Sequence, residues 1–188
     1  MDTCKVKWTQ LQSEIFRFLC INTGKELSLR NIAKQLKKSP TAVSNALKGL
    51  VKEELVKIKK SESMKLLLIE FNRDNRKAIE FKRVENLKLI YESGLSAFLE
   101  ESFPGGCIIL FGSYSRGDDI WTNKIEEHRS DIDIAVIGCK EKQLNLSEFD
   151  KKLERNIIIN FYSSFAEIHK HLRDSILNGI LLSGSVDL

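Results

Sequence analysis

Residues 107–138 read CIILFGSYSRGDDIWTNKIEEHRSDIDIAVIG. Cys107–Phe111 is a short, wholly apolar run, the mark of a buried strand. It ends in Gly112-Ser113-Tyr114-Ser115-Arg116-Gly117, and the segment from Asp118 to Arg129 is too charged to be core. Ser130–Ile137 reads as a second strand. Side chains alternate along a strand, so Asp131 and Asp133 project from one face while Ile132, Ile134 and Val136 project from the other. Two carboxylates that close repel each other, and each loses solvation where the strand is buried. Such a pair is the usual sign of a divalent metal site.

Upstream, Pro104-Gly105-Gly106 breaks a helix. Arg73–Ser102 reads as that helix, with Ile79, Val84, Leu87, Tyr91, Leu95 and Phe98 at helical steps, and at 1.5 Å per residue it spans about 40 Å. Gly94 weakens it locally. Its polar start bridges two modules, its end packs on the sheet, and a second face offers a dimer seam. Downstream, Asn156–Tyr162 is a further strand. Ser163-Ser164 caps an expected helix from Phe165 to Leu177, with Phe165, Ile168, Leu172 and Ile176 inward, and Ile180–Leu182 is a short last strand.

Three helices and two strands are read before residue 72. Leu11, Ile15, Phe16, Phe18 and Leu19 give the first its helical spacing. Ser28 caps a second from Leu29 to Leu36. Ser39-Pro40 opens a third, because Ser accepts from the free first-turn N–H groups and Pro suits the first helical position. Its apolar stripe is Val43, Ala46, Leu47, Leu50 and Val51, which leaves Thr41, Ser44, Asn45, Lys48 and Lys52 outside. Leu55–Lys60 and Met64–Phe71 are strands joined by the polar turn Ser61-Glu62-Ser63.

The 188 residues leave room for one large or two small domains, and 42% hydrophobic with 30% charged is an ordinary globular composition. Residues 1–83 hold 19 Lys and Arg against 9 Asp and Glu, a net of +10; residues 84–188 hold 11 against 17, a net of −6. A basic half joined to an acidic half points to different partners: a polyanion for the first, a bound metal as the acidic half's route to its own. Cys4, Cys20, Cys107 and Cys139 have no C-x-x-C spacing, which reads as reduced thiols rather than disulfides or zinc. His169 and His171 have no other ligand nearby in sequence and read as a solvated helix face. No apolar run approaches the roughly 20 residues that span a bilayer, and the polar start lacks a signal-peptide core. No membrane and a cytoplasmic location are expected.

The helix–helix–helix–hairpin order over residues 8–71 resembles the winged helix-turn-helix domains of archaeal and bacterial transcription regulators. The resemblance implies duplex DNA as partner. Thr41, Ser44, Asn45, Lys48 and Lys52 would face base edges and phosphates from the recognition helix, with Lys57, Lys59 and Lys60 on the wing. Winged-helix proteins often dimerise on palindromic sites, so a homodimer is a further expectation. A winged helix used only for protein contact is the alternative.

FGSYSRG at 111–117 followed by SDIDIAVIG at 130–138 resembles the nucleotidyltransferase core of the DNA polymerase β superfamily, in its minimal form, over residues 85–188. The gap between the two motifs is longer here, and DDIWTNKIEEH reads as a loop insertion. A winged helix followed by such a core resembles the arrangement of a class of archaeal proteins. The implied fold is α+β: a winged helix at 1–72, a linking helix at 73–103 and a nucleotidyltransferase domain with a mixed sheet at 104–188. The resemblance implies Mg²⁺ (or Mn²⁺) on Asp131 and Asp133, and an NTP whose phosphates meet Gly112 and Ser113. Arg116 either adds a cation there or pairs with Asp118 or Asp119. The family's third carboxylate falls at Asn160, and an amide supplies neither charge nor a proton acceptor. Either Glu154 or Glu167 substitutes, the acceptor is activated otherwise, or transfer is lost. The activity expected is transfer of a nucleoside monophosphate to a hydroxyl, with the acceptor open among protein, nucleic acid and small molecule. The alternatives are a DNA-binding regulator whose second domain is catalytically degenerate or only binds nucleotide, and an antitoxin-like enzyme that modifies a partner protein.

Overall fold

The structure is a computed structural model that describes residues 8–60, 66–121 and 130–187. Cys4, the wing turn Ser61–Ser63 and most of the insertion, His128 included, lie outside the described residues. The chain divides into two compact units, Met1–Ala78 and Ile79–Leu188.

The first unit orders α1 (Gln10–Ile21), β1 (Leu27–Ser28), α2 (Leu29–Gln35), α3 (Pro40–Lys52), β2 (Val56–Lys60) and β3 (Leu67–Phe71). Each helix starts where a side-chain oxygen meets first-turn N–H groups. Gln12 N–H donates to Thr9 Oγ1 at 3.2 Å, Asn31 N–H to Ser28 Oγ at 3.2 Å and Ala42 N–H to Ser39 Oγ at 3.2 Å. β3 lies between β1 and β2 in an antiparallel sheet. Ile15, Phe16, Leu19, Ile32, Val43, Leu47, Leu50, Leu55, Ile69 and Phe71 make the core. This is a winged helix-turn-helix. Ile58, which strand alternation groups with Val56, is 43% exposed whereas Val56 is buried, because Ile58 lines an open cavity with Leu47, Val51 and Leu67.

The second unit is built around a mixed sheet. β4 (Cys107–Phe111) and β5 (Ile132–Ile137) pair antiparallel at its centre. β6 (Ile157–Tyr162) adds parallel to β5, and β7 (Ile180–Ser183) antiparallel to β4. The wholly apolar sequence of β4 follows from burial on both faces. Ile108 and Leu110 join Ile132, Ile134 and Val136 in one core with Ile90, Leu95, Leu99 and Phe103. Ile109 and Phe111 join Ala135 and Ile137 in another with Phe165, Ile168 and Ile176.

Three helices differ from the sequence reading. The span 73–102 is two helices, α4 (Arg76–Glu92) and α5 (Leu95–Ser102), because Gly94 takes a left-handed conformation at φ +83°. After α6 (Gly112–Arg116), a seven-residue helix α7 (Ser147–Leu153), absent from the sequence reading, precedes β6. The expected helix 165–177 is a 3₁₀ turn, Phe165–Glu167, and a separate α8 (Lys170–Leu177). Ile168 interrupts it in an extended conformation that buries its own side chain and leaves Leu172 37% exposed. Among the described residues no helix is long and apolar enough to cross a membrane.

Candidate active site and nucleic-acid interface

β4 runs into α6 at one end of the sheet, where β5 begins. Phe111 pairs with Asp133, so α6 starts directly beside the carboxylate. Gly112 has φ +75°, and a Cβ there would collide with the Asp133 carboxylate, its Cγ only 3.1 Å away. Glycine is required twice over, by the backbone and by the close approach. Asp131 precedes Asp133 by two residues and so shares its face. Neither carboxylate makes a hydrogen bond or ion pair among the described residues, and both side chains are half-buried. Burial, and then the Asp131 charge, push the Asp133 carboxyl above its ordinary value, with Arg116 opposing them. Two open carboxylates of this kind are a donor set that fits a hard divalent cation.

Arg116 Nε donates to Asp118 Oδ2 at 3.1 Å in an exposed pair, so of its two expected carboxylate partners it takes Asp118. Asp119 is committed elsewhere. It is 1% exposed; its Oδ1 accepts from Lys82 Nζ and from Asn86 Nδ2 at 2.7 Å, and its Oδ2 from Arg155 Nη2 at 3.1 Å. Lys82 also donates to the Asp119 carbonyl at 2.8 Å and the Gly117 carbonyl at 3.3 Å, and Asn86 to the Tyr114 carbonyl at 2.9 Å. This buried hub ties α6 and the chain after it to α4 and to Arg155, two residues before β6.

The chain leaving the hub closes on itself before the acid pair. Ile120 N–H donates to Ser130 Oγ at 3.0 Å, and Ser130 N–H returns to the Ile120 carbonyl at 3.2 Å.

Asn160 is not beside the acids. The parallel register sets Ile158 against Asp133 and Asn160 against Ala135. Two residues along a strand are about 6.6 Å, so Asn160 lies one full repeat deeper than Asp133. Register across strands, which no single strand's pattern encodes, sets Ile158 rather than Asn160 level with Asp133. Glu154 and Glu167 are exposed, and among the described residues no three His, Cys, Asp or Glu side chains gather to hold a metal. Cys20 and Cys107 are buried free thiols and Cys139 is half-buried and free. His169 and His171 stack at 5.5 Å on the surface.

In the first unit, Thr41, Asn45, Lys48 and Lys52 are exposed along α3 and Ser44 is half-buried. Lys48 Nζ donates to Asn45 Oδ1 at 3.0 Å, and neither Lys48 nor Lys52 has an ion-pair partner among the described residues. The wing differs. Lys57 pairs with Asp74, and Lys59 with Glu70 at 2.8 Å and Glu26 at 3.3 Å, whose hydrogen bonds raise the Lys59 ammonium above its ordinary value. Lys60 is exposed and has no ion-pair partner among the described residues.

Residues 92–182 match the family described as the nucleotidyltransferase domain. This part of the chain is a nucleotidyltransferase domain. Gly112, Ser113, Arg116, Asp131 and Asp133 all fall within it, as do Ile158 and Asn160. Solved structures similar to the chain include the zinc-responsive MarR family member ZitR of Lactococcus lactis, 31% identical over 53% of this chain and 64% of that one, with a TM-score of 0.39. The adhesin competence repressor AdcR of Streptococcus pyogenes is 22% identical over 54% and 71%, TM-score 0.42. The MepR–DNA complex of S. aureus is 20% identical over 50% and 77%, TM-score 0.38. No curated protein matches the chain. The winged-helix assignment rests on the chain's own element order and strand pairing.

Proposed function

We propose that the chain is a Mg²⁺-dependent (or Mn²⁺-dependent) nucleotidyltransferase that moves a nucleoside monophosphate from an NTP to a hydroxyl acceptor while its winged helix holds duplex DNA. One observation carries this reading: Gly112 is packed against Asp133, with Asp131 on the same face, inside a nucleotidyltransferase domain. Asp131 and Asp133 hold the divalent ion, which when bound neutralises phosphate charge as pyrophosphate leaves. Gly112 keeps side-chain bulk away from the triphosphate. The Ser113 hydroxyl and backbone N–H donate to its oxygens. Arg116 offers an exposed guanidinium to the phosphates by exchanging away from Asp118. In the first unit, Asn45 and Ser44 reach base edges while Lys48 and Lys52 meet phosphates.

Incubation with each α-labelled NTP, Mg²⁺ and cell extract, with Asp131→Ala as control, tests the reading. Label that moves to a macromolecule or small molecule in the wild type and not in the control supports it. A regulator that binds nucleotide without turnover is the second reading. The observation favouring it is Ile158 at the position level with Asp133, where an acid would otherwise complete the site. Binding of Mg²⁺–NTP with no label transfer to any acceptor decides for it.

A further inference from the structure

Asp133 stands in the sheet between two apolar residues. Antiparallel pairing sets Phe111 beside it on β4, and parallel pairing sets Ile158 beside it on β6. Directly paired residues share a face and lie about 4.8 Å apart. Phe111 is buried at 5%, whereas Ile158 is 42% exposed, an open apolar ledge beside a pair of carboxylates. From β6 and the residue before it, the same face offers Asn156, Ile158, Asn160 and Tyr162, none of them a carboxylate. Asn156 is exposed, and its amide oxygen is a neutral ligand. Asn160 is two repeats from Asp131 along the strand direction, about 13 Å. Oxygen ligands of one Mg²⁺ sit 2.0–2.1 Å from the ion, so that distance places Asn160 out of a coordination shell that includes Asp131.

We propose that this acid pair takes one divalent cation, the one that travels with the nucleotide's phosphates, and that Ile158 shuts out a second. Two ions held about 3.5–4 Å apart need anionic oxygens on more than one side. Among the described residues the negative charge here comes from a single strand. The inference rests on the nucleotide-site reading above and adds the ion count and the residue that sets it. A substrate lying over the pair meets an aliphatic surface at Ile158, which suits the apolar face of a sugar or a base.

The experiment counts Mn²⁺ bound per full-length chain by equilibrium dialysis, as the excess of metal on the protein side over a protein-free side that holds the same saturating α,β-methylene ATP analogue. Wild type is expected to hold one ion and Ile158→Asp two, with Ile158→Glu as a second form of the same change. Asn160→Asp should stay at one. Because Ile158 is partly solvent-facing, its replacement leaves the core in place, and circular dichroism of each variant checks the fold. Two ions in the wild type overturn the proposal while leaving the nucleotide site intact. So does a second ion gained by Asn160→Asp and not by either Ile158 variant, or a count of one in all variants. No bound Mn²⁺ with the analogue in any variant overturns the nucleotide-site reading and this inference with it.

Discussion

Asp119 and the pair Asp131 and Asp133 belong to one domain and have opposite surroundings. Asp119 is enclosed, with Lys82, Asn86 and Arg155 donating to its two oxygens. The pair is half-buried with no donor attached among the described residues, and burial and then the Asp131 charge drive the Asp133 carboxyl up. The wing and α3 of the first unit repeat the contrast in cations. Lys57 and Lys59 are matched to Asp74, Glu26 and Glu70, while Lys48 and Lys52 meet no carboxylate among the described residues. A charge answered inside the fold holds the fold. A charge left unanswered is available to a ligand, and its own repulsion is relieved when the ligand arrives.

The largest expected effect is on the answered side. Asp119→Asn keeps the shape of the side chain and leaves Lys82 and Arg155 buried without their carboxylate, a loss of about 3–5 kcal/mol. Urea unfolding reads it as a marked fall in midpoint. Asp133→Asn removes a charge the fold disfavours, so its midpoint should be equal or higher. If the two variants melt in the reverse order, the contrast is broken.

Next comes ligand affinity. Asp131→Ala and Asp133→Ala should each weaken Mn²⁺–nucleotide binding at least about tenfold, or 1.4 kcal/mol, by titration calorimetry. An unchanged affinity in both would falsify the assignment of the open pair to the cation. The pH dependence sharpens this. The folded-state carboxyl of Asp133 is raised, so across the interval between its unfolded and folded values the native state binds more protons, and stability falls as pH rises. The cation needs the ionised form. Its affinity should therefore decline on acidification while pH is still above the ordinary carboxylate value of 3.8. In Asp131→Asn that decline should move to lower pH, and a profile that stays put would show that Asp131 does not act on Asp133.

The smallest expected effect is in the first unit. Each phosphate neutralised adds about 0.9 to the slope of log K against log salt, so Lys48→Ala should flatten the slope for duplex DNA by about one unit. Lys57→Ala and Lys59→Ala should change it less, because their charges are already met by carboxylates. Asn45→Ala should leave the slope alone and blunt sequence preference. Equal losses from all three lysines would mean that the wing pairs open on DNA.

Much of the fold could be read from local pattern. Ser28 and Ser39 cap the helices assigned to them, and the runs at 107–111 and 132–137 form the paired strands at the sheet centre. These features depend on a few consecutive residues. What could not be read depends on partners far along the chain. The hub joins Lys82 to a residue 37 positions away, and nothing near Asp119 distinguishes it from its exposed neighbour Asp118. Asn160 and Ile158 share one face of one strand, and only the pairing with β5 says which of them is level with Asp133. The break at Gly94 was visible as a weakness, but conversion into a left-handed turn is set by how α5 packs Leu95 and Leu99 against the sheet.

The two hydrogen bonds between Ile120 and Ser130 give the protein a graft point. They hold Ile120 and Ser130 together immediately before Asp131. Lengthening a closed loop is cheap, about 0.6 kcal/mol for each doubling. Sequence inserted there is thermodynamically insulated from the acid pair while remaining tethered within a few residues of it. Evolution or an engineer can thus rewrite what approaches this domain, changing the visitor without retuning the chemistry that receives it.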